Sequence, residues 1–103
     1  MTFCVSGKNI NIGSALQEQI ASRVEEATSK YFHGGYSGQA TIGRDGFGFK
    51  TECVLHLDSG VMMEAEGMAA DAYDSAAQAS ERIEKQLRRY KRRLKDHQAR
   101  RSG

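Results

Sequence analysis

Ten of the chain's fifteen Lys and Arg residues stand between Arg82 and Arg101, in the run RIEKQLRRYKRRLKDHQARR, opposed only by Glu84 and Asp96. Cations at that density pair with a polyanion. Their spacing matters as much as their number. Tyr73, Ala76, Ser80, Ile83, Leu87, Tyr90 and Leu94 recur at alternating steps of three and four, which marks one face of a long amphipathic helix. At roughly 100° per residue, Arg82, Lys85, Arg89, Arg92 and Arg93 gather on the back of that rod. Arg88, Lys91 and Lys95 fall along one flank. A solvated helix face usually mixes signs, and this one has almost no interleaved acid. The helix is expected to dock through its apolar seam and to meet a polyanion with its cationic back.

Other kinds of chemistry find no support. The chain has no P-loop, no Rossmann glycine pattern and no nucleophile elbow. Gly43, Gly46 and Gly48 read as a hairpin, not as a phosphate-binding strand-to-helix turn. His33, His56 and His97 lack ligand spacing, so no metal site is expected. Glu64 and Glu66 share a strand face and could work as paired carboxylates, but an exposed sheet face explains them as well. Cys4 and Cys53 fit no metal spacing and no disulfide framework, and both read as small packing residues in strands. The reading is therefore no enzyme, no cofactor and no small-molecule substrate.

The elements that must position the basic run follow from the rest of the pattern. At 103 residues one domain is expected, over 1–98, with a flexible basic tail over 99–103. Residues 1–81 carry five Lys/Arg against eleven Asp/Glu, a net −6, and residues 82–103 carry ten against two, a net +8. The pattern is an acidic body with a basic end. The start MTFCVSGKN has neither a basic n-region nor an apolar h-region, and no apolar run approaches the ~20 residues of a membrane span. A cytoplasmic protein with no membrane partner is expected.

Thr2 to Ser6 alternates as a strand with Phe3 and Val5 on one side. Ser14 to Phe32 is predicted helical, with Ser14 and Gln17 as a capping box and Leu16, Ile20, Val24, Ala27 and Tyr31 as the buried stripe. Tyr36 to Gly43 is a second strand, Arg44-Asp45-Gly46 a turn, and Phe47 to Leu57 a third strand. Asp58-Ser59-Gly60 turns into a fourth strand, Val61 to Met68, and Asp71 caps the long helix. The order β-α-β-β-β-α predicts an α+β fold, a four-stranded mixed sheet with two helices packed on one face. The long helix should outrun the strands, so that its basic end projects past the sheet.

The segments MTFCVSGKNI, SALQEQI, Lys30-Tyr31-Phe32, LHLDSG, Asp71-Ala72-Tyr73 and EKQLRRYKRRLKD occur in this order. Together they resemble the ribosome hibernation promoting factor family, the protein Y group also called sigma-54 modulation proteins, over residues 1 to about 96. The resemblance implies a fold related to double-stranded-RNA-binding domains, and binding of the small ribosomal subunit, through ribosomal RNA, in the cleft used by messenger and transfer RNA, with translation inhibited in stationary phase or stress. It places RNA-binding positions at Lys8, Arg23, Lys30, Arg82, Lys85, Arg89, Arg92 and Arg93, and the flank adds Arg88. Two departures stand out. Gly43 to Phe49 replaces a more charged hairpin, and Ala70 stands where many members carry an acid. Long members add a C-terminal dimerising domain, so ribosome dimerisation is expected only if such a domain is missing from this chain or another factor supplies it. Two other readings stay open on the residues: a generic double-stranded-RNA-binding module, and a protein-interaction domain whose basic helix docks an acidic partner.

Overall fold

The computed structural model describes the backbone of residues 2–102 and the side chains of residues 3–93. Its elements are β1 (Thr2–Lys8), α1 (Ser14–Tyr31), β2 (Tyr36–Asp45), β3 (Gly48–Leu57), β4 (Met62–Ala69) and α2 (Ala72–Ser102). The sheet runs β1-β2-β3-β4, with β1 and β2 parallel and the other pairs antiparallel. Both helices lie on one face, as the single apolar stripes require. The core joins Leu16, Ile20 and Val24 of α1 to Ile83 and Leu87 of α2, over Ala40, Ile42, Cys53, Leu55 and Met63 of the sheet.

β4 and α2 pack backbone to backbone at Gly67. A Cβ placed on Gly67 would come within 2.2 Å of the Ser75 carbonyl oxygen and 2.8 Å of the Ala79 nitrogen. Only glycine lets the two backbones meet there. Beside it a buried polar pair links β3 to α2: Thr51 Oγ1 and Ser75 Oγ are 2.8 Å apart, and Ser75 also donates to the Ala72 carbonyl.

Several expectations need correction. Ser14 is the first helical residue and not a cap. Gly13 holds the N-cap position without a side-chain bond, and only its carbonyl receives the Gln17 N–H. The hairpin turn is shifted. Asp45 pairs with Gly48, leaving Gly46-Phe47 as a two-residue loop, because Gly46 at φ +61° takes the first loop position of a type II′ turn. Cys4 is exposed on the uncovered sheet face, since it alternates with the inward Phe3 and Val5. Tyr73, expected on the apolar seam, is exposed in the first turn of α2, where Ser75 and Ala79 fill the space instead. Leu94 and Lys95 lie outside the described side chains, as does the tail expected over 99–103.

Candidate nucleic-acid interface

α2 starts beside the hairpin end of the sheet, just after Ala69, which pairs with Phe49. It then crosses the sheet to the β3–β4 turn, where the Tyr90 hydroxyl donates to Ser59 Oγ at 2.9 Å. The helical residues beyond Tyr90 rise roughly 18 Å past that point, at 1.5 Å per residue. The basic end therefore projects beyond the sheet along the 53 Å long axis of the molecule.

The structure divides the nine expected cations into groups. Arg82, Lys85 and Arg89 line the groove between α2 and β4, together with Gln86, Glu64 and Ala65. Arg92 and Arg93 continue from them, exposed, on the projecting part of the helix. Arg23 and Lys30 line a notch between the helices with Glu26, Ala27 and Glu84. Arg88 joins Lys30 through Tyr31. Its Nε donates to the Tyr31 hydroxyl at 3.3 Å, and its guanidinium lies 6.0 Å from the ring centroid, with Lys30 Nζ 5.4 Å from the same centroid. Lys8 stands apart, at the end of β1 on the sheet face away from the helices.

Arg82 is also tied to the sheet. Its guanidinium donates to the Glu66 carbonyl of β4, while Gln86 donates to the Glu64 carbonyl at 2.7 Å and Gln78 accepts from the Met68 N–H at 3.2 Å. Three α2 side chains spaced by four thus occupy the free edge of β4. Edge strands left open are templates for aggregation. Sequence reasoning put Arg82 on the back of the helix, missed Gln78 and Gln86, and did not show that an edge lay beneath them.

Among the described residues the ion pairs are those of Lys50, with Glu52 at 3.6 Å and Glu66 at 3.3 Å, on the open sheet face. Glu52 and Glu66 are register partners, so Lys50 offsets a like-charge cross-strand pair. That accounts for Glu66 without catalysis. The hydrogen bond from Arg88, with both nearby cations, lowers the Tyr31 pKa against a smaller opposing effect of burial, and the same bond raises that of Arg88. The Tyr31 signal in the sequence was only its place at the C-terminal end of the helical stripe, beside Lys30. No helix among the described residues is long and apolar enough to cross a membrane.

Residues 3–95 match the family described as Sigma 54 modulation protein / S30EA ribosomal protein. The chain is 54% identical over 102 residues to a ribosome hibernation promotion factor of Bradyrhizobium diazoefficiens, covering 99% of this chain and 50% of that protein. It is 50% identical over 97 residues to the factor of the same name from Rhizobium meliloti, covering 94% of this chain and 51% of the relative. It thus spans about half the length of these relatives. The fold is similar to the crystal structure of the Thermus thermophilus Protein Y N-terminal domain, with a TM-score of 0.78, 22% identity, and coverage of 87% of this chain and 99% of the other. A ribosomal subunit interface protein from Coxiella burnetii gives a TM-score of 0.75 at 17% identity, covering 88% of this chain and 98% of that one.

Proposed function

Because the chain belongs to the Sigma 54 modulation protein / S30EA ribosomal protein family, we propose that it is a ribosome hibernation factor. Residues 1–98 form its small-subunit-binding domain. In this reading the domain occupies the messenger and transfer RNA channel in the cytoplasm, pairs its cations with ribosomal RNA phosphates, and inhibits translation by occupancy and not by catalysis. Ribosome pairing is not assigned to these residues.

One observation carries the proposal. α2 leaves the sheet at Tyr90 and projects, and Lys85, Arg89, Arg92 and Arg93 stand exposed along it with no ion-pair partner among the described residues. A narrow cationic rod is the shape needed to enter a cleft walled by phosphates. Lys30 and Arg88, joined through Tyr31, widen that surface toward α1. Lys8 belongs to a separate part of the footprint.

The test replaces Lys85, Arg89, Arg92 and Arg93 by Gln and leaves Arg82 in place, because Arg82 also holds the β4 edge. The wild-type chain should sediment with small subunits in a sucrose gradient. The variant should keep its fold, bind more weakly and show a flatter dependence of log K on log salt. On simple nucleic acids the slope falls by roughly 0.7–0.9 for each phosphate that is no longer neutralised. Unchanged affinity and slope would make this surface ordinary solvated charge. Absence of any RNA-dependent binding at moderate salt would favour an acidic protein partner.

A further inference from the structure

Phe47 is the most exposed large hydrophobic residue described, at 108% relative exposure, on the tip of the β2–β3 hairpin. The turn does not need it. Gly46 supplies the positive φ of the type II′ loop, and the second loop position accepts ordinary residues. Nor does the core use it: Phe49, two residues on, packs against the core, whereas Phe47 does not. The space at the tip is open, since a Cβ on Gly46 would meet nothing within 4 Å.

Two cations stand on the strands that lead to this tip, Arg44 on β2 and Lys8 on β1. Arg44 is exposed on the helix-side face of the hairpin, its guanidinium 5.7 Å from the Phe49 ring centroid. Lys8 is exposed on the opposite face, in register with Gly43. Neither has an ion-pair partner among the described residues, whereas Lys50 is paired with two carboxylates. The sequence neighbours of Phe47 are Gly46 and Gly48, with Asp45 and Arg44 before them, so its own loop supplies no further apolar side chain. A bare aromatic ring with a cation toward each face of its hairpin suits an unpaired nucleobase, whose π-face stacks on the ring while neighbouring phosphates meet the cations. A protein pocket would call for apolar neighbours.

The geometry points to a second RNA contact at the hairpin tip, in which Phe47 stacks on an unpaired base of the ribosomal RNA. This rests on the small-subunit reading above. The tip lies at the end of the long axis opposite the projecting helix, because α2 begins at the hairpin end and leaves the sheet at the β3–β4 turn. The domain would therefore be held at both ends.

The chain contains no Trp, so Phe47→Trp installs a single indole reporter. Its emission is read with purified small subunits, against the wild-type chain on the same subunits. Stacking on a base quenches it. Phe47→Ala and Phe47→Leu should each weaken binding by about 5- to 150-fold, the range for removing one base–aromatic stack. The salt slope should not change, because no charge is removed. A blue-shifted emission without quenching would place the ring in an apolar protein pocket. Unchanged emission, with Phe47→Ala binding as tightly as wild type, would leave it in solvent. Either result overturns the inference. The helix variant Lys85/Arg89/Arg92/Arg93→Gln serves as the control. If it weakens binding while the Phe47 variants do not, stacking fails and the helix reading stands. If the wild-type chain does not bind small subunits, both fail together.

Discussion

Tyr31 joins two cations from different helices, and its phenol records their presence. The Arg88 hydrogen bond stabilises the phenolate, so the folded pKa lies below the ordinary value of 10.0. A depressed pKa adds stability only above the unfolded phenol's pKa, and the gain is lost as pH falls through the folded one. At neutral pH the bond therefore holds Arg88 to Tyr31, beside Lys30, without any contribution from ionisation. A phenol titration should show Tyr31 ionising below Tyr36, whose pKa burial raises, and Arg88→Ala should move Tyr31 back up. No movement on that substitution would dissociate Arg88 from the ring. The cysteines separate as sharply. Burial pushes the Cys53 thiol up to about 12, while Cys4 is exposed. Because the thiolate is the reactive form, iodoacetamide at pH 8 should label Cys4 and spare Cys53 until the chain is denatured. Equal labelling rates in the native protein would contradict this burial.

At the scale of elements, α2 does two jobs along one length. Over the sheet its seam is core, and Ile83 and Leu87 are fully buried. Leu87→Ala should lower stability by ~2–5 kcal/mol, the range for emptying a buried leucine site, as read from the urea midpoint and slope. Arg89→Ala, on the exposed back, should change it by less than ~0.5 kcal/mol. Similar effects at the two positions would mean that the helix is not seated on this seam. Beyond Tyr90 the helix has left the sheet, and Lys91, Arg92 and Arg93 stand exposed on it.

At the scale of the whole molecule, an acidic body presents a basic rod beyond its sheet. If that rod enters the messenger and transfer RNA channel, binding must compete with those ligands. Co-sedimentation at fixed salt should show strong binding to empty small subunits and weak binding to subunits preloaded with messenger and initiator transfer RNA. Inhibition should be stoichiometric and reversible on dilution. Equal binding to both preparations would move the site outside the channel while leaving ribosome binding intact.

The sequence by itself determined the element order, the stripe of α1, that of α2 from Ala76 to Tyr90, the inward residues of every strand and the cationic back of α2. Each of these depends on a local period, two for strands and 3.6 for helices, and a period is visible in one dimension. The hairpin register was not visible in that way. A loop formed by Asp45-Gly46 would pair Arg44 with Phe47 and still leave Ala40, Ile42, Thr51 and Cys53 facing inward, so alternation could not distinguish it from the pairing of Arg44 with Phe49. Only the folded hairpin placed Phe47 at the tip, in solvent. The grouping of the cations was also decided by tertiary structure. Nothing local brings Tyr31 to Arg88, 57 residues away, or sets Arg82 over the carbonyl of Glu66. Periodicity put Arg82 on the back of the helix. The free edge of β4, which exists only once the sheet is assembled, gave its guanidinium the Glu66 carbonyl as a partner.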